Sequence, residues 1–342
     1  MLKLLLALLA ALGLMLLIAP KVIPVLHRLK FGQTIYDLGP KTHQVKQGTP
    51  TMGGLMFGAV TIFVTLVVPL IGLGKWNGFW DFSVGLLIVA LGNMLIGFVD
   101  DDIKVVRKRN LGLIWWQKII GQVVVSLAFS VYCYLNPYVG SSIIIPFWNV
   151  EWDLGIFYIP LMTCLLIFMV NSANLQDGLD GLLSSVTVVG TSAWSGIALL
   201  MVVAGGAALS AEMQGNLLHL ALVGMALIGA LLGFLRFNSY PAKIFMGDTG
   251  SMWIGGLTVG MSLLLRQPFL MLFICFTLLA SSFSVIIQRI YFKVTHGKRI
   301  FKMSPIHHHF ELSGMTETQV VTMYTIVEAV LCFVAVFSLR LF

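Results

Sequence analysis

Charge is scarce in this sequence: Asp, Glu, Lys and Arg together make up 10% of 342 residues, against 58% hydrophobic. That balance excludes an ordinary soluble domain, which carries roughly a quarter of its residues as charge. The four cysteines, Cys133, Cys164, Cys275 and Cys332, all lie inside apolar runs without CxxC spacing, which excludes a disulfide scaffold and a thiolate metal site and leaves packing as their role. No HExxH and no Walker lysine spacing occur, so neither a zincin nor a P-loop nucleotidase is expected. Repeats, low-complexity stretches and polar regions long enough for a soluble domain are also missing, so residues 1–342 read as one membrane-embedded domain.

What fills the chain is apolar runs of the length a helix needs to cross hydrocarbon, about 17 to 25 residues. They fall at 2–24, 53–73, 82–99, 114–134, 155–172, 183–205, 216–235, 250–265, 269–291 and 319–340. The expectation is an all-α polytopic membrane protein of ten spans. The first run resembles a secretory signal in its basic start and leucine-rich core, but no small-residue cleavage site follows, and it reads as a retained helix.

Ten spans put both termini on one side. All basic residues except Lys3, Lys75, Arg266 and Arg340 fall in or beside the loops after spans 1, 3, 5, 7 and 9. The positive-inside rule assigns those loops to the cytoplasm and the termini to the outside. The net charge of +7 then follows from topology and attraction to anionic lipid, with no nucleic-acid partner needed. Asp37, Asp100, Asp101, Asp102, Asp177, Asp180, Asp248, Glu311 and Glu317 share that face, although the rule makes no demand on acids.

Five cytoplasmic motifs carry the chemistry. In "GFVDDDIKVVRKR" (97–109), Asp100 and Lys104 share a face if span 3 continues as a helix. A solvated helix end explains the bases but not clustered aspartates at a helix C-terminus, an arrangement suited to a hard cation or a proton transfer. In "NSANLQDGLDGL" (171–182), read as nearly the whole link between two spans, Asn174, Asp177 and Asp180 recur every three residues with no basic neighbour; a plain turn is the alternative. "NSYPAKIFMGDTGS" (238–251) reads equally as a capped helix start and as a phosphate-binding one. "KQGTPTMGG" (46–54) offers Lys46, Thr49 and Thr51 either as an anion contact or as the cap of span 2. "KMSPIHHHFEL" (302–312) sets His307, His308 and His309 side by side, which suits phosphate contact better than zinc, since adjacent histidines diverge around a helix. Glu328, inside span 10, has no evident partner and is read as a structural or dimer-contact residue outside the site.

Aspartates for Mg²⁺, glycine turns at helix ends and basic groups for phosphate are the equipment of phosphoryl transfer. A carboxylate-lined transporter is the rival class, but transport sites lie near mid-membrane, whereas these carboxylates lie at span ends.

In this order and spacing, "KQGTPTMGG", "GFVDDDIKV", "NLQDGLDGL", "YPAKIFMGDTGS" and "SPIHHHFEL" resemble the phospho-N-acetylmuramoyl-pentapeptide transferase family, from about residue 27 to the last span. The family belongs to the polyprenyl-phosphate sugar-phosphate transferases; "GTPTMGG" and the triple histidine favour it over the related N-acetylglucosamine-phosphate branch. The resemblance implies transfer of phosphomuramoyl-pentapeptide from UDP-MurNAc-pentapeptide to undecaprenyl phosphate, giving lipid I and UMP. It further implies Mg²⁺ dependence, a ten-helix homodimer and a cytoplasmic cleft in the bacterial inner membrane. By motif position it assigns Asp100 and Asp101 as the paired aspartates, Lys104 and Lys118 as basic contacts, and Asp248 as the Mg²⁺ ligand, with Asp100 and Asp101 as further candidate ligands. Asn174, Asp177 and Asp180 then line the cleft, Asn238 and Phe245 stand at the uridine end, and His307, His308 and His309 face phosphates and sugar; Lys46, Thr49 and Thr51 form the first-loop motif. Asp102 stands where the family commonly has tyrosine, so the sequence leaves open which two of the three aspartates act.

Overall fold

The computed structural model describes residues 1–28, 46, 48–71, 80–106 and 112–339. Asp37, Lys30, Lys41, Lys75, Arg107, Lys108, Arg109 and Arg340, all used in the topology argument, lie outside the described residues. The chain is mostly helical: α1 (Leu2–Arg28), α2 (Gly54–Val67), α3 (Asp81–Val106), α4 (Trp115–Leu135), α5 (Tyr158–Gln176), α6 (Leu182–Gly205), α7 (Ala211–Asn238), α8 (Gly247–Leu264), α9 (Met271–Ile274), α10 (Phe276–Val294), α11 (Ile306–Glu311) and α12 (Glu317–Phe337).

Each of the ten expected runs contains a helix, but they are unequal as spans. Among the described residues, α1, α3, α4, α5 (with the short turn before it), α6 (with the turn after it), α7 and α12 are long and apolar enough to cross a membrane. An eighth arises if Pro268–Ile274 and Phe276–Val294, bent by 85° at their junction, form one broken span. α2 is short. α8 fails on hydropathy because it is diluted with Gly, Ser and Thr, and its burial explains how it can be: every residue from Thr249 to Leu264 is enclosed by protein. A helix that meets neighbouring helices on all faces gains more from close packing than from greasiness.

Small residues bring these helices together. A Cβ on Gly229 of α7 would sit 2.1 Å from the Leu8 carbonyl oxygen of α1, and one on Gly260 of α8 would sit 2.4 Å from Leu86 of α3. α7 and α8 therefore form the centre of the bundle, with α1, α3 and α5 packed against them.

Two departures from the all-α, loop-linked expectation stand out. The connection between α4 and α5 forms an antiparallel hairpin, β1 (Ser142–Ile145) with β2 (Val150–Asp153). Three consecutive isoleucines and a Val-Glu-Trp run favour strand, and the turn places Phe147 and Asn149 at positive φ. Arg266, after α8, fastens the hairpin: its side chain donates to the Ser142 carbonyl and pairs with Glu151 at 2.7 Å. The second departure is that α5 runs on to Gln176, so Asn174 belongs to a helix and the link to α6 is only 177–181. The polar end of α5 stays folded because other helices satisfy it, Gln122 bonding Asn171, Ser282 bonding Ser172, and Thr277 and Ser281 bonding Gln176.

Glu328 has a partner that its sequence neighbourhood does not reveal. It is 2% exposed within the chain, and its Oε2 accepts from the Thr277 backbone N–H at 3.2 Å, at the first turn of α10 just past the 85° break. The carboxylate thus serves as a remote cap for a helix that begins inside the bundle. Glu328→Ala is expected to lower the melting temperature in detergent, since a stranded buried N–H costs about 1–3 kcal/mol. Glu328→Gln, which keeps an acceptor, is expected to cost less; equal melting of wild type and the Ala variant would rule the cap out.

Candidate active site

α3 reaches Val106, as the Asp100–Lys104 pairing requires, and one turn separates the two residues. Lys104 Nζ lies 2.5 Å from Asp100 Oδ2. Asp100 and Asp101 are both nearly buried, at 3% and 4% exposure. Asp101 is spent on α8: Oδ1 accepts from the Asp248 N–H at 3.2 Å, and Oδ2 accepts from the Thr249 N–H at 2.9 Å and its hydroxyl at 2.7 Å. A carboxylate on the first N–H groups of a helix is the favoured partner for that end of the dipole.

That contact delivers Asp248 to the same place. Carboxylate oxygens of Asp100, Asp101 and Asp248 lie within 4.8 Å of one another. Asp248 Oδ2 meets both Lys104 Nζ at 3.0 Å and Lys118 Nζ at 2.8 Å, while its Oδ1 accepts from Asn174 Nδ2 at 2.7 Å. Asn174 also donates to Ser251 at 3.0 Å. The sequence left the choice among three adjacent aspartates open; in the structure the third member of the group is Asp248. Asp102, about 100° further round the helix, is not among the three. Lys118 sits squarely in the cluster.

Backbone geometry makes the cluster possible. Gly247 has φ +71°, and a Cβ there would lie 2.4 Å from Asp101 Oδ2 and 2.7 Å from Thr51 Oγ1. The first-loop motif lines the same turn: Phe245 N–H donates to the Pro50 carbonyl, and Gly53 and Gly54 N–H groups donate to the carbonyls of Phe245 and Met246. Thr51 is buried against this turn and Thr49 is half-buried beside it.

Other expected residues form a second group. Lys46 Nζ pairs with Asp180 Oδ1 at 2.7 Å and with Glu317 Oε1 at 2.6 Å. Asp177, half-buried at the end of α5, stands between the groups: burial, and then the carboxylates of Asp248, Asp101 and Asp180, push its carboxyl well above the usual range. Gly178 brings in the histidines, since a Cβ on it would lie 2.4 Å from His307 Nε2 and 3.2 Å from His308 Nε2. The histidines do not all diverge: the rings of His307 and His308 meet with centroids 4.3 Å apart, and only His309 turns away. His307 is fully buried, His308 Nδ1 lies 2.8 Å from Glu311, and His309 Nδ1 accepts from the Lys302 N–H at 3.1 Å.

Asn238 points inward, accepting from Ser184 Oγ at 2.9 Å and donating to the Ile244 carbonyl at 3.0 Å; it shapes the 239–246 loop. Phe245 is half-buried on that loop. Sequence reasoning passed over Glu317, Ser251 and Gly97. Nothing marks Glu317, because an acid in the first turn of a helix is ordinary.

Small-residue packing, buried carboxylates at a helix start and paired lysines together describe a membrane-embedded transfer site. Residues 83–266 match the family model described as glycosyl transferase family 4, which makes the class a transferase, and residues 46–57 match signature 1 of phospho-N-acetylmuramoyl-pentapeptide-transferase. The chain is 45% identical over 339 residues to the phospho-N-acetylmuramoyl-pentapeptide-transferase of Clostridium kluyveri, covering 99% of this chain and 100% of that protein. Proteins of the same name from Clostridium novyi and Acetivibrio thermocellus are each 41% identical, over 94% and 95% of this chain and 92% of theirs. The chain belongs to the phospho-N-acetylmuramoyl-pentapeptide-transferase family and is an enzyme.

A Cβ on Gly97 would lie 2.2 Å from the Asp248 carbonyl oxygen and 2.7 Å from the Thr249 nitrogen, both backbone atoms that have little room to yield. Gly97→Ala is therefore expected to separate α3 from α8 and reduce transferase activity by about 100-fold, with helical circular dichroism preserved. Gly13→Ala, which meets nothing within 4 Å, is the control. Full activity of Gly97→Ala would show that this approach does not set the cluster.

Proposed function

We propose that this chain transfers phospho-N-acetylmuramoyl-pentapeptide from UDP-MurNAc-pentapeptide to undecaprenyl phosphate, releasing UMP and forming lipid I, with Mg²⁺ as cofactor. It does so from the cytoplasmic face of the bacterial inner membrane, as a ten-span homodimer with both termini outside. The observation that carries the reading is the joining of Asp100, Asp101 and Asp248 to Lys104 and Lys118 at the start of α8. The topology is supported by the concentration of Lys and Arg in alternate loops.

The donor set fits Mg²⁺: hard carboxylate oxygens, close together, at the edge of a bundle. Three carboxylates against two ammonium groups leave the cluster formally negative, which disfavours an incoming pyrophosphate and lipid phosphate unless a cation joins them. Asp248, with Asp100 and Asp101, would hold the ion, and bound Mg²⁺ would neutralise phosphate oxygens.

Asp100 is the base in this scheme. Asp101 has both oxygens committed to the backbone and hydroxyl of α8, whereas Asp100 is held by the Lys104 ammonium and by the Leu113 N–H at 2.8 Å. A phosphate monoester has its second pKa at about 6, so only a residual proton needs removing. An oxygen of the lipid phosphate then attacks the β-phosphorus of the donor. The bond from that phosphorus to the bridging oxygen breaks, and UMP leaves with the electron pair. Lys104 and Lys118 meet the charge that gathers on the phosphate oxygens.

Incubation of the purified chain with UDP-MurNAc-pentapeptide, undecaprenyl phosphate and Mg²⁺ is expected to yield lipid I and UMP, and EDTA is expected to stop it. Consumption of UDP-N-acetylglucosamine alone would move the chain to the sister branch. Asp100→Asn is expected to lose about 10²–10⁴-fold in kcat and keep a measurable remainder, the range for loss of a general base. Trapping a phosphorylated aspartate in the wild type would replace direct attack with a covalent route.

A further inference from the structure

The Lys46 cluster is built as carefully as the aspartate cluster and touches none of its members. Glu317 Oε1 accepts from Lys46 Nζ at 2.6 Å and from the Asp180 backbone N–H at 2.6 Å. Asp180 accepts from the same Lys46 through Oδ1 at 2.7 Å and from the Ala242 N–H through Oδ2 at 2.9 Å. Side-chain exposure is 14% for Lys46, 2% for Asp180 and 8% for Glu317, so these are largely desolvated charges. One oxygen of Glu317 therefore ties the first-loop motif and the 177–181 link to the start of α12, and Asp180 carries the tie on to the 239–246 loop. Pairs in that tie are up to 271 positions apart in sequence.

We infer that Glu317 is a positioning residue for binding of the water-borne nucleotide donor. The inference rests on the transferase reading above. Glu317 holds Lys46 and the Asp180 link in register, so that Asp177, Gly178 and the loop bearing Tyr240 and Phe245 keep their places before substrate arrives. It meets no atom of the Asp100–Asp101–Asp248 group, so its influence falls on substrate placement and not on the proton or phosphoryl step. The water-borne donor is the substrate affected. Lys46 sits 5.8 Å from the centre of the exposed Tyr240 ring, in a loop that Arg236 and Lys243 assign to the cytoplasmic side in the proposed topology. Removing Glu317 leaves a largely buried ammonium with one carboxylate where it had two, and the Asp180 N–H with no acceptor, which loosens the link itself.

The test uses the full-length protein in detergent or vesicles, with both substrates varied. Glu317→Ala is expected to raise KM for the UDP donor about tenfold, the effect of one lost charge-assisted bond. kcat at saturating donor should stay within about threefold and KM for undecaprenyl phosphate should not move. Glu317→Gln, whose amide oxygen still accepts from both donors, is expected to restore most of the affinity. Lys46→Met combined with Glu317→Ala should lose less than the product of the two single losses, because the variants share the Lys46–Glu317 contact while the Asp180 N–H loses its acceptor only with Glu317.

A fall in kcat with unchanged donor KM, equal shifts in both KM values, or multiplying losses in the double variant would overturn the inference. If Glu317→Ala does not fold, Glu317→Gln with and without Lys46→Met decides the matter: its donor-KM defect must vanish when Lys46 is gone, and a defect that persists overturns the inference. Wild type that makes no lipid I would overturn the transferase reading; active wild type with an indistinguishable Glu317→Ala variant would overturn only the role of Glu317.

Discussion

The bond between the Asp101 carboxylate and the start of α8 is the constraint on which the rest of the site depends. A carboxylate 4% exposed at the end of an apolar helix is untenable without strong partners, and the unfilled N–H groups of Asp248 and Thr249 are such partners. Two burial problems, an acid at the end of α3 and a helix start inside the bundle, cancel each other. Once they do, Asp248 has only one place to be, and Lys104, Lys118 and Asn174 converge on it. Gly97 and Gly247 are small because this junction leaves no space for a side chain.

Two clusters share the work of organising the loops. The first, around Asp248, gathers α3, α4, α5 and α8; the second, around Lys46, gathers the first loop, the 177–181 link and α12. Asp177 lies where their fields overlap: burial first, and then the acids of both clusters, push its carboxyl above the usual range. The histidine helix α11 docks on the same link through Gly178. A link of five residues is thereby the meeting point of nearly every motif.

Much of this was legible from sequence because the signals were local. Apolar runs located the helices and the four-residue offset put Asp100 and Lys104 on one face; the adjacent histidines were expected to diverge, and His307 and His308 instead meet ring to ring. What was illegible depended on distant partners. α5 could run to Gln176 only because Gln122, Thr277, Ser281 and Ser282 from other helices satisfy its polar end. α8 looked like an ordinary span although protein surrounds it, since hydropathy records composition and not neighbours. Glu328 and Glu317 were opaque for the same reason: the groups they serve, Thr277 and the Lys46–Asp180 pair, are brought to them by folding alone. The hairpin after α4 was missed because its strands, Ser-Ile-Ile-Ile and Val-Glu-Trp-Asp, are only four residues each, too short to display a strand period.

Both lysines of the first cluster rest on a single oxygen, Asp248 Oδ2. Within this cluster both ammonium groups are already matched by carboxylates. On the proposed function, substrate entry would be an exchange, in which phosphate oxygens take the ammonium groups and Asp248 would need another positive partner in the same event. Such a site discriminates by stoichiometry as much as by shape. A small free anion arriving without a counter-cation would gain a lysine and strand a buried carboxylate, and so would gain little from it.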